Sequence, residues 1–230
     1  QDQARQRENP AIPMLMKTII EMDPPDHRMF RKVASGYFTP RGIEQLDEIV
    51  ATSAKAVIDS LGAEGEADFV EMITQQHPLR VLSTILGIEP HQEQQLLELT
   101  AQLFGGEDPD LQREGETRDE AMLALFMDFY VMFNTIIEDR RANPREDLAT
   151  MLATATLDNG KPLGDMETLG YYLIIFNAGH DTTRHSLTGA IQAFLDNPDE
   201  LRRLRDDPSL MKTAVEEVVR FSAPVNYMKR

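Results

Sequence analysis

One short segment of the chain combines residue types that could bind and protonate a small ligand. Directly after the apolar run Tyr171–Phe176, residues 177–183 read Asn-Ala-Gly-His-Asp-Thr-Thr. Ala178 and Thr182 are four positions apart, so a helix would place them on one face, with Asp181 to the side. A small-residue groove beside a hydroxyl and a carboxylate can bind a small polar ligand and transfer protons to it.

The same segment also has a purely structural interpretation. A glycine inside a helix, such as Gly179, costs about 1 kcal/mol relative to alanine. Threonine hydroxyls that bond back to the carbonyl four residues earlier bend a helix. These features are consistent with a bulky group lying close to the backbone, or with two helices crossing closely through small residues. The segment alone leaves both interpretations open.

Two other groups of residues could act through charge. Glu217 and Arg220 are three positions apart on a predicted helix and can pair, although exposed pairs of this kind stabilise little. His27 and Arg31 are four apart and face the same way, within a basic cluster. Fixed cations on one face suit a carboxylate ligand or an acidic partner, and a solvated helix face is the alternative.

These residues require helices to position them. Strand signals are scarce, and apolar residues mostly recur at the helical spacings of three and four. Asp165 is a candidate N-cap for a helix that extends to Asp196 and is ended by Asn197–Pro198. At 1.5 Å per residue this helix would be about 45 Å long. We therefore predict a mainly α fold with little β structure, arranged around this one long central helix.

Caps and apolar stripes predict further helices. An apolar stripe over residues 122–137 marks one face of a long helix. Asn143, followed by proline, is a candidate cap for a helix that continues to about Thr156. Residues 69–86 form another helical stretch, which we expect Pro78 to interrupt.

Composition excludes several classes of protein. The 23 lysine and arginine residues against 39 aspartate and glutamate residues give a net charge of −16, which disfavours nucleic acid and anionic membranes as partners. Cysteine is absent, which excludes disulfides, cysteine–zinc sites, iron–sulfur clusters and thiol nucleophiles made from this sequence alone. Neither a signal peptide nor a membrane span is apparent, so we expect a cytoplasmic protein. With no repeat or flexible linker, we predict one helical domain over residues 1–230.

The motifs occur in a specific order. Pro-Pro-Asp-His-x-x-x-Arg at 24–31 precedes Phe-Thr-Pro-Arg at 38–41, and Ala-Gly-His-Asp-Thr-Thr follows at 178–183. A Glu-x-x-Arg pair at 217–220 then leads into Ala-Pro-Val-Asn-Tyr-Met-Lys-Arg at 223–230. This order resembles the soluble, bacterial-type cytochrome P450 family of haem-thiolate monooxygenases, and the resemblance covers nearly the whole chain.

The resemblance implies catalytic roles on the long helix. Asp181 matches the acid of the family's proton-delivery path. Thr182 matches the hydroxyl residue that helps to hold and protonate dioxygen. Ala178 and Gly179 match the small residues that leave room for oxygen and substrate above the haem. These implied roles agree with the groove, hydroxyl and carboxylate inferred from the residues themselves.

The resemblance also implies residues that support the cofactor, haem b (iron protoporphyrin IX). His27, Arg31 and Arg230 match the cations that bind the haem propionates. Glu217 and Arg220 match a structural ion pair that does no chemistry. The family's metal ligand is a cysteine thiolate in a loop beyond this pair, and the sequence contains no cysteine. No metal-binding residue is therefore predicted in this chain.

From this departure we expect an internal piece of a longer monooxygenase, inactive alone, that lacks the N-terminal sheet region and the cysteine loop. The resemblance implies that the full-length protein inserts one oxygen atom of O2 into an apolar substrate. Its electrons would come from a ferredoxin and ferredoxin reductase. Residues 106–111 and 225–230 look most like members that hydroxylate steroids, terpenes or branched lipids.

Two alternatives come from different functional classes. A metal-dependent phosphohydrolase could use His180 and Asp181 as ligands, but adjacent residues on a helix do not face one site. The absence of cysteine instead favours a haem-free, non-catalytic helical fragment or binding module.

Overall fold

A computed structural model describes residues 18–62, 65–104 and 117–225 of the chain. Over these residues the secondary structure is helical, and the one β feature is an isolated bridge between Thr156 and Pro162. The mainly α fold class predicted from the sequence is therefore confirmed.

Ten α-helices form the described part of the chain. They are α1 (Asp26–Ser35), α2 (Pro40–Glu44), α3 (Asp47–Asp59), α4 (Gln76–Leu86), α5 (Glu93–Phe104), α6 (Arg118–Ala142), α7 (Leu148–Ala153), α8 (Asp165–Asp196), α9 (Pro198–Asp206) and α10 (Met211–Ser222). A π-helical turn, Val70–Thr74, precedes α4, and short 3-10 turns lie at Ile19–Glu21, Pro90–Gln92 and Pro208–Leu210.

The chain divides into two compact units. The first contains residues 1–48 and 83–177, and the second contains residues 49–82 and 178–230. The boundaries fall inside α3, α4 and α8, so each of these helices contributes one part to each unit. One domain over residues 1–230 stays a prediction.

The long helix has the bounds that the sequence predicts, although Asp165 is its first helical residue rather than its N-cap. α8 contains 32 residues, Asp165–Asp196, and Asp165 and Glu167 lie in its first turn, where negative charge suits the helix dipole. At 1.5 Å per residue it is about 48 Å long. Asn197 then precedes Pro198 at the start of α9, where a missing proline N–H does not disrupt a helix.

The apolar stripe of residues 122–137 lies on α6, as predicted. Thr117 begins this helix with a capping box, in which its hydroxyl and the Glu120 side chain satisfy each other's backbone amides. In the first unit Phe129 and Phe133 of α6 are fully buried. The Phe133 ring lies 5.3 Å from the Tyr172 ring of α8, measured between centroids. Aromatic burial therefore joins these two helices.

Two local predictions were wrong. α7 begins at Leu148 with Asp147 as its N-cap, accepting from the Thr150 amide at 2.7 Å, whereas Asn143 ends α6. Asp147, unlike Asn143, also pairs with the buried Arg140 guanidinium, and this tertiary contact favours Asp147 as the cap. The break within residues 69–86 follows the π-helical turn rather than falling at Pro78, because Pro78 lies in the first turn of α4 and displaces no helical hydrogen bond there.

A buried ion pair organises the core of the first unit. The Arg140 side chain is only 4% exposed, and its Nε donates to an Asp147 carboxylate oxygen at 2.7 Å. Its Nη1 donates to Asp139. Gly87, with a φ of +68°, lies so close to this guanidinium that a Cβ there would overlap it. The chain therefore turns at the residue type that tolerates both the φ angle and the close approach.

The environment of Asp147 sets its protonation. Burial alone raises the pKa of this carboxyl group, but the hydrogen bonds from Thr150 and the guanidinium of Arg140 outweigh that effect. The pKa of Asp147 therefore lies below its ordinary value, and the ion pair is intact at neutral pH.

Among the described residues one helical segment, Asp119–Ala142, is long and apolar enough to cross a membrane by length and composition. It lies within α6 and carries the buried Phe129 and Phe133. Core helices pass the same test, so the segment gives no support to a membrane span.

We expect Asp147→Asn to lower the free energy of unfolding by about 3 kcal/mol at pH 7, because the buried Arg140 guanidinium then keeps only the half-exposed Asp139 as an anionic partner. Asparagine still caps a helix, so the cap itself is retained. Urea denaturation measures the change. Asp158→Asn, which removes the exposed partner of Lys32, is the matched control and should stay within about 0.5 kcal/mol of wild type.

The destabilisation should also depend on pH in one direction. Because folding lowers the pKa of Asp147, its contribution is complete above the unfolded-state pKa of about 3.9 and is lost as pH falls through the lower folded-state pKa. The difference in free energy of unfolding between wild type and Asp147→Asn should therefore decrease below about pH 4. A gap that stays constant under acid would contradict this assignment.

Candidate active site

The segment predicted to carry chemistry lies in the middle of α8. Ala178 is exposed and Thr182 is half-buried, one helical turn apart. The Thr182 hydroxyl donates to the Ala178 carbonyl oxygen at 2.6 Å. With its proton engaged in this way, the hydroxyl offers lone pairs to a ligand, so it can act as an acceptor beside an open alanine surface.

Asp181 lies between two nitrogen-bearing side chains of its own helix. Its Oδ1 is 3.0 Å from Arg184 Nη2 and 3.6 Å from His180 Nδ1. His180 and then the Arg184 guanidinium lower the pKa of Asp181, against the opposing effect of burial. The carboxyl group is therefore an anion at neutral pH, able to accept a proton and release it.

Sequence reasoning did not identify His180 and Arg184 as neighbours of this carboxylate within one site. Arg184 is three positions after Asp181, a spacing at which opposite charges commonly meet on a helix, so its pairing had a readable signal. No sequence signal indicated the contacts of His180. Its side chain is 4% exposed, and its Nε2 lies 3.2 Å from the carbonyl oxygen of Gln75, which is far away in the sequence.

Gly179 packs against a neighbouring helix of the second unit. A Cβ at this position would lie 3.0 Å from the nearest methyl carbon of Leu82, tighter than ordinary contact. The absence of a side chain therefore serves helix packing, the structural interpretation left open by the sequence. Ala178, in contrast, is exposed.

Glu217 and Arg220 form the ion pair that their spacing predicts. Arg220 Nε and Nη2 each donate to one Glu217 carboxylate oxygen at 2.6 Å, so the pair is bidentate. The side chains are 58% and 70% exposed. They border a cavity of about 530 Å³ in the second unit, with apolar side chains such as Phe194, Leu204 and Phe221 among those lining it.

The predicted propionate-binding cations lie on α1, in the first unit. His27 is half-buried and Arg31 is exposed, one turn apart. The adjacent Lys32 is paired with Asp158, with an Nζ–Oδ1 distance of 2.8 Å. The third predicted cation, Arg230, lies outside the described residues, as do the segments 106–111 and 226–230.

No group of three or more metal-ligating side chains occurs in the part of the chain that the structure describes. The phosphohydrolase interpretation needs such a cluster around His180 and Asp181. These two side chains instead contact each other and Arg184. No observation therefore favours that alternative.

Comparison with known proteins gives a consistent family. The chain is 35% identical over 225 residues to cytochrome P450-terp from a Pseudomonas species, covering 95% of this chain and 52% of that protein. It is 33% identical over 211 residues to linalool 8-monooxygenase from Pseudomonas putida, covering 92% and 51%. A steroid C26-monooxygenase from Mycolicibacterium smegmatis is 32% identical over 220 residues, covering 96% and 49%.

Solved structures agree with these relatives. The crystal structure of CYP108D1 from Novosphingobium aromaticivorans matches with a TM-score of 0.81 at 36% identity, over 93% of this chain and 49% of that one. Cytochrome P450 CYP268A2 from Mycobacterium marinum, in complex with pseudoionone, matches with a TM-score of 0.83 at 29% identity, over 93% and 51%. No family model matches the chain.

The chain thus spans about half the length of the curated relatives it matches. Over that half, the sequence identity, the helical architecture and the motif on α8 all indicate the same family. This chain belongs to the cytochrome P450 family.

Proposed function

We propose that the full-length protein containing this chain is a haem-dependent monooxygenase that inserts one oxygen atom of O2 into an apolar substrate. The observation that carries the proposal is the centre of α8, where the Thr182 acceptor and the Asp181 anion adjoin the exposed Ala178. This combination provides an open surface for a planar group and residues that manage protons beside it.

Within each unit, the predicted residues have side chains suited to a haem. Ala178 leaves open surface in the middle of a long helix, and a larger side chain there would occupy that space. His27 and Arg31 are the described residues that would bind the propionates, with an imidazole and a guanidinium one turn apart on α1 that can donate to carboxylates. The thiolate ligand would come from residues outside this sequence, since it contains no cysteine. Bound haem would supply the oxygen chemistry.

The residues of this chain would bind and transfer protons. Asp181 holds a negative charge that Arg184 compensates, so it can release a proton without leaving a buried anion unpaired. Thr182, whose hydroxyl proton is directed to the Ala178 carbonyl, can accept a hydrogen bond from a protonated group above the helix. Protons would therefore pass from Asp181 Oδ to a site fixed by Thr182 Oγ1.

Substrate, partner and compartment belong to this proposal as well. The named relatives include a linalool 8-monooxygenase and a steroid C26-monooxygenase, which supports a terpene, steroid or lipid substrate. We assign the electron supply to a ferredoxin and ferredoxin reductase, and the location to the cytoplasm.

The direct test is an absorption spectrum of the purified full-length protein, reduced and exposed to carbon monoxide. We expect the Soret band of a thiolate-ligated haem. A full-length protein without a haem band would favour the haem-free binding module instead.

We expect Thr182→Ala to uncouple electron use from product formation. The change removes the acceptor oxygen and leaves Asp181 and the helix in place, so product formed per NAD(P)H consumed should fall about tenfold, the size expected for losing one hydrogen bond. Thr183→Ala is the matched control, since Thr183 is adjacent but exposed and should retain wild-type coupling. Equal coupling in Thr182→Ala and wild type would contradict the role of Thr182.

The basic surface of α1 allows a test of the partner. If an acidic ferredoxin approaches Arg28 and Arg31, which are both exposed, its rate of electron transfer should fall as ionic strength rises. Arg28→Gln should reduce that salt dependence, while Arg205→Gln on α9 should leave it unchanged. Stopped-flow reduction at several salt concentrations measures both. An electron-transfer rate that does not change with salt concentration would contradict docking at this basic surface.

A further inference from the structure

We infer that His180 is a positioning residue for Asp181, held in place by the backbone carbonyl of Gln75. This inference rests on the proposed function, because it concerns the carboxylate to which that function gives a proton-transfer role. It adds a residue that touches neither oxygen nor substrate but determines where the proton-carrying group stands.

A hydrogen bond to the Gln75 carbonyl fixes one side of the His180 imidazole. His180 Nε2 lies 3.2 Å from the Gln75 carbonyl oxygen, and a carbonyl can only accept, so Nε2 carries a proton. The side chain is 4% exposed, which restricts alternative rotamers. The ring therefore has a fixed direction, and Nδ1 points to the other side.

On that other side Nδ1 faces Asp181. The Nδ1–Oδ1 distance is 3.6 Å, slightly longer than a hydrogen bond, and a small movement of either side chain would let a protonated Nδ1 donate to this oxygen. Arg184 Nη2, at 3.0 Å, holds the same oxygen. Arg184 therefore pairs with Asp181 Oδ1 directly, and His180 flanks the same oxygen.

The carbonyl that holds His180 belongs to an unusual turn. Gln75 directly follows the π-helical turn Val70–Thr74, a geometry that is rare and occurs often at functional sites. From the same turn, the fully buried Thr74 meets Thr188 of α8 with an Oγ1–Oγ1 distance of 3.0 Å. This turn therefore anchors α8 both before and after Asp181.

The two anchors can be separated by substitution in the full-length holoenzyme. His180→Phe keeps a ring but removes both nitrogens, so Asp181 Oδ1 would keep only its Arg184 contact. Product formed per NAD(P)H consumed should fall about tenfold, the order expected for losing one polar contact with a charged group. The substrate dissociation constant should stay unchanged. His180→Gln, whose amide can still donate, should recover part of the coupling.

Thr188→Val is the matched control, because it removes the second anchor of the same turn without touching Asp181. It should retain wild-type coupling. If Thr188→Val and His180→Phe lose coupling equally, then His180 merely anchors the helix and the inference is wrong. Wild-type coupling in His180→Phe would overturn it as well.

A measurement independent of activity keeps the inference testable if His180→Phe does not fold. In protein with 15N-labelled histidine, studied in the diamagnetic ferrous carbon monoxide form, His180 should show a slowly exchanging proton on Nε2. Asp181→Asn should shift its Nδ1 resonance, and Thr183→Ala should not. A proton-free Nε2, or an Nδ1 resonance unaffected by Asp181→Asn, would refute the assignment.

These outcomes are distinct from failure of the proposed function. A full-length protein that binds no haem would overturn the monooxygenase proposal, while the histidine spectrum of that protein would still report whether His180 contacts Gln75 and Asp181.

Discussion

The continuity of α8 is the constraint on which both compact units depend, because each takes part of this one helix. In the first unit the helix packs Tyr172 against Phe133, and in the second it carries Asp181 and Thr182. A helix this long must satisfy its backbone groups internally everywhere except at its ends. In the middle of α8 the Thr182 hydroxyl donates to the Ala178 carbonyl oxygen of the same helix, and Gly179 packs against Leu82. Chemistry and continuity therefore coexist at the same turn.

Burial decides what each ion pair contributes. Arg140 and Asp147 are removed from water, so losing either partner strands a charge in the core. Glu217 and Arg220 have closer bidentate geometry but are mostly exposed, and water competes for both. Asp181 and Arg184 lie between these cases, about a quarter exposed. That intermediate setting suits the proton exchange that we propose for Asp181.

Much of the helical framework could be predicted from local signals. Asp165, Asn197 and Pro198 define the bounds of α8 because caps and proline act within one turn. The same reasoning misplaced the start of α7 at Asn143, where the local pattern fits a cap as well as Asp147 does. The difference is the buried guanidinium of Arg140, which only Asp147 reaches. A cap signal says where a helix can begin, and packing selects among the candidates.

The sequence by itself determined the fold class, the bounds of the central helix and the placement of Ala178 and Thr182 on one face, because these depend on spacings of three and four and on neighbouring caps. The order of its motifs also indicated the family. Only the tertiary structure decided that Gly179 serves Leu82 and that His180 reaches the carbonyl of Gln75. Those contacts join segments about a hundred positions apart in the chain, and local periodicity carries no information about which distant surfaces will meet.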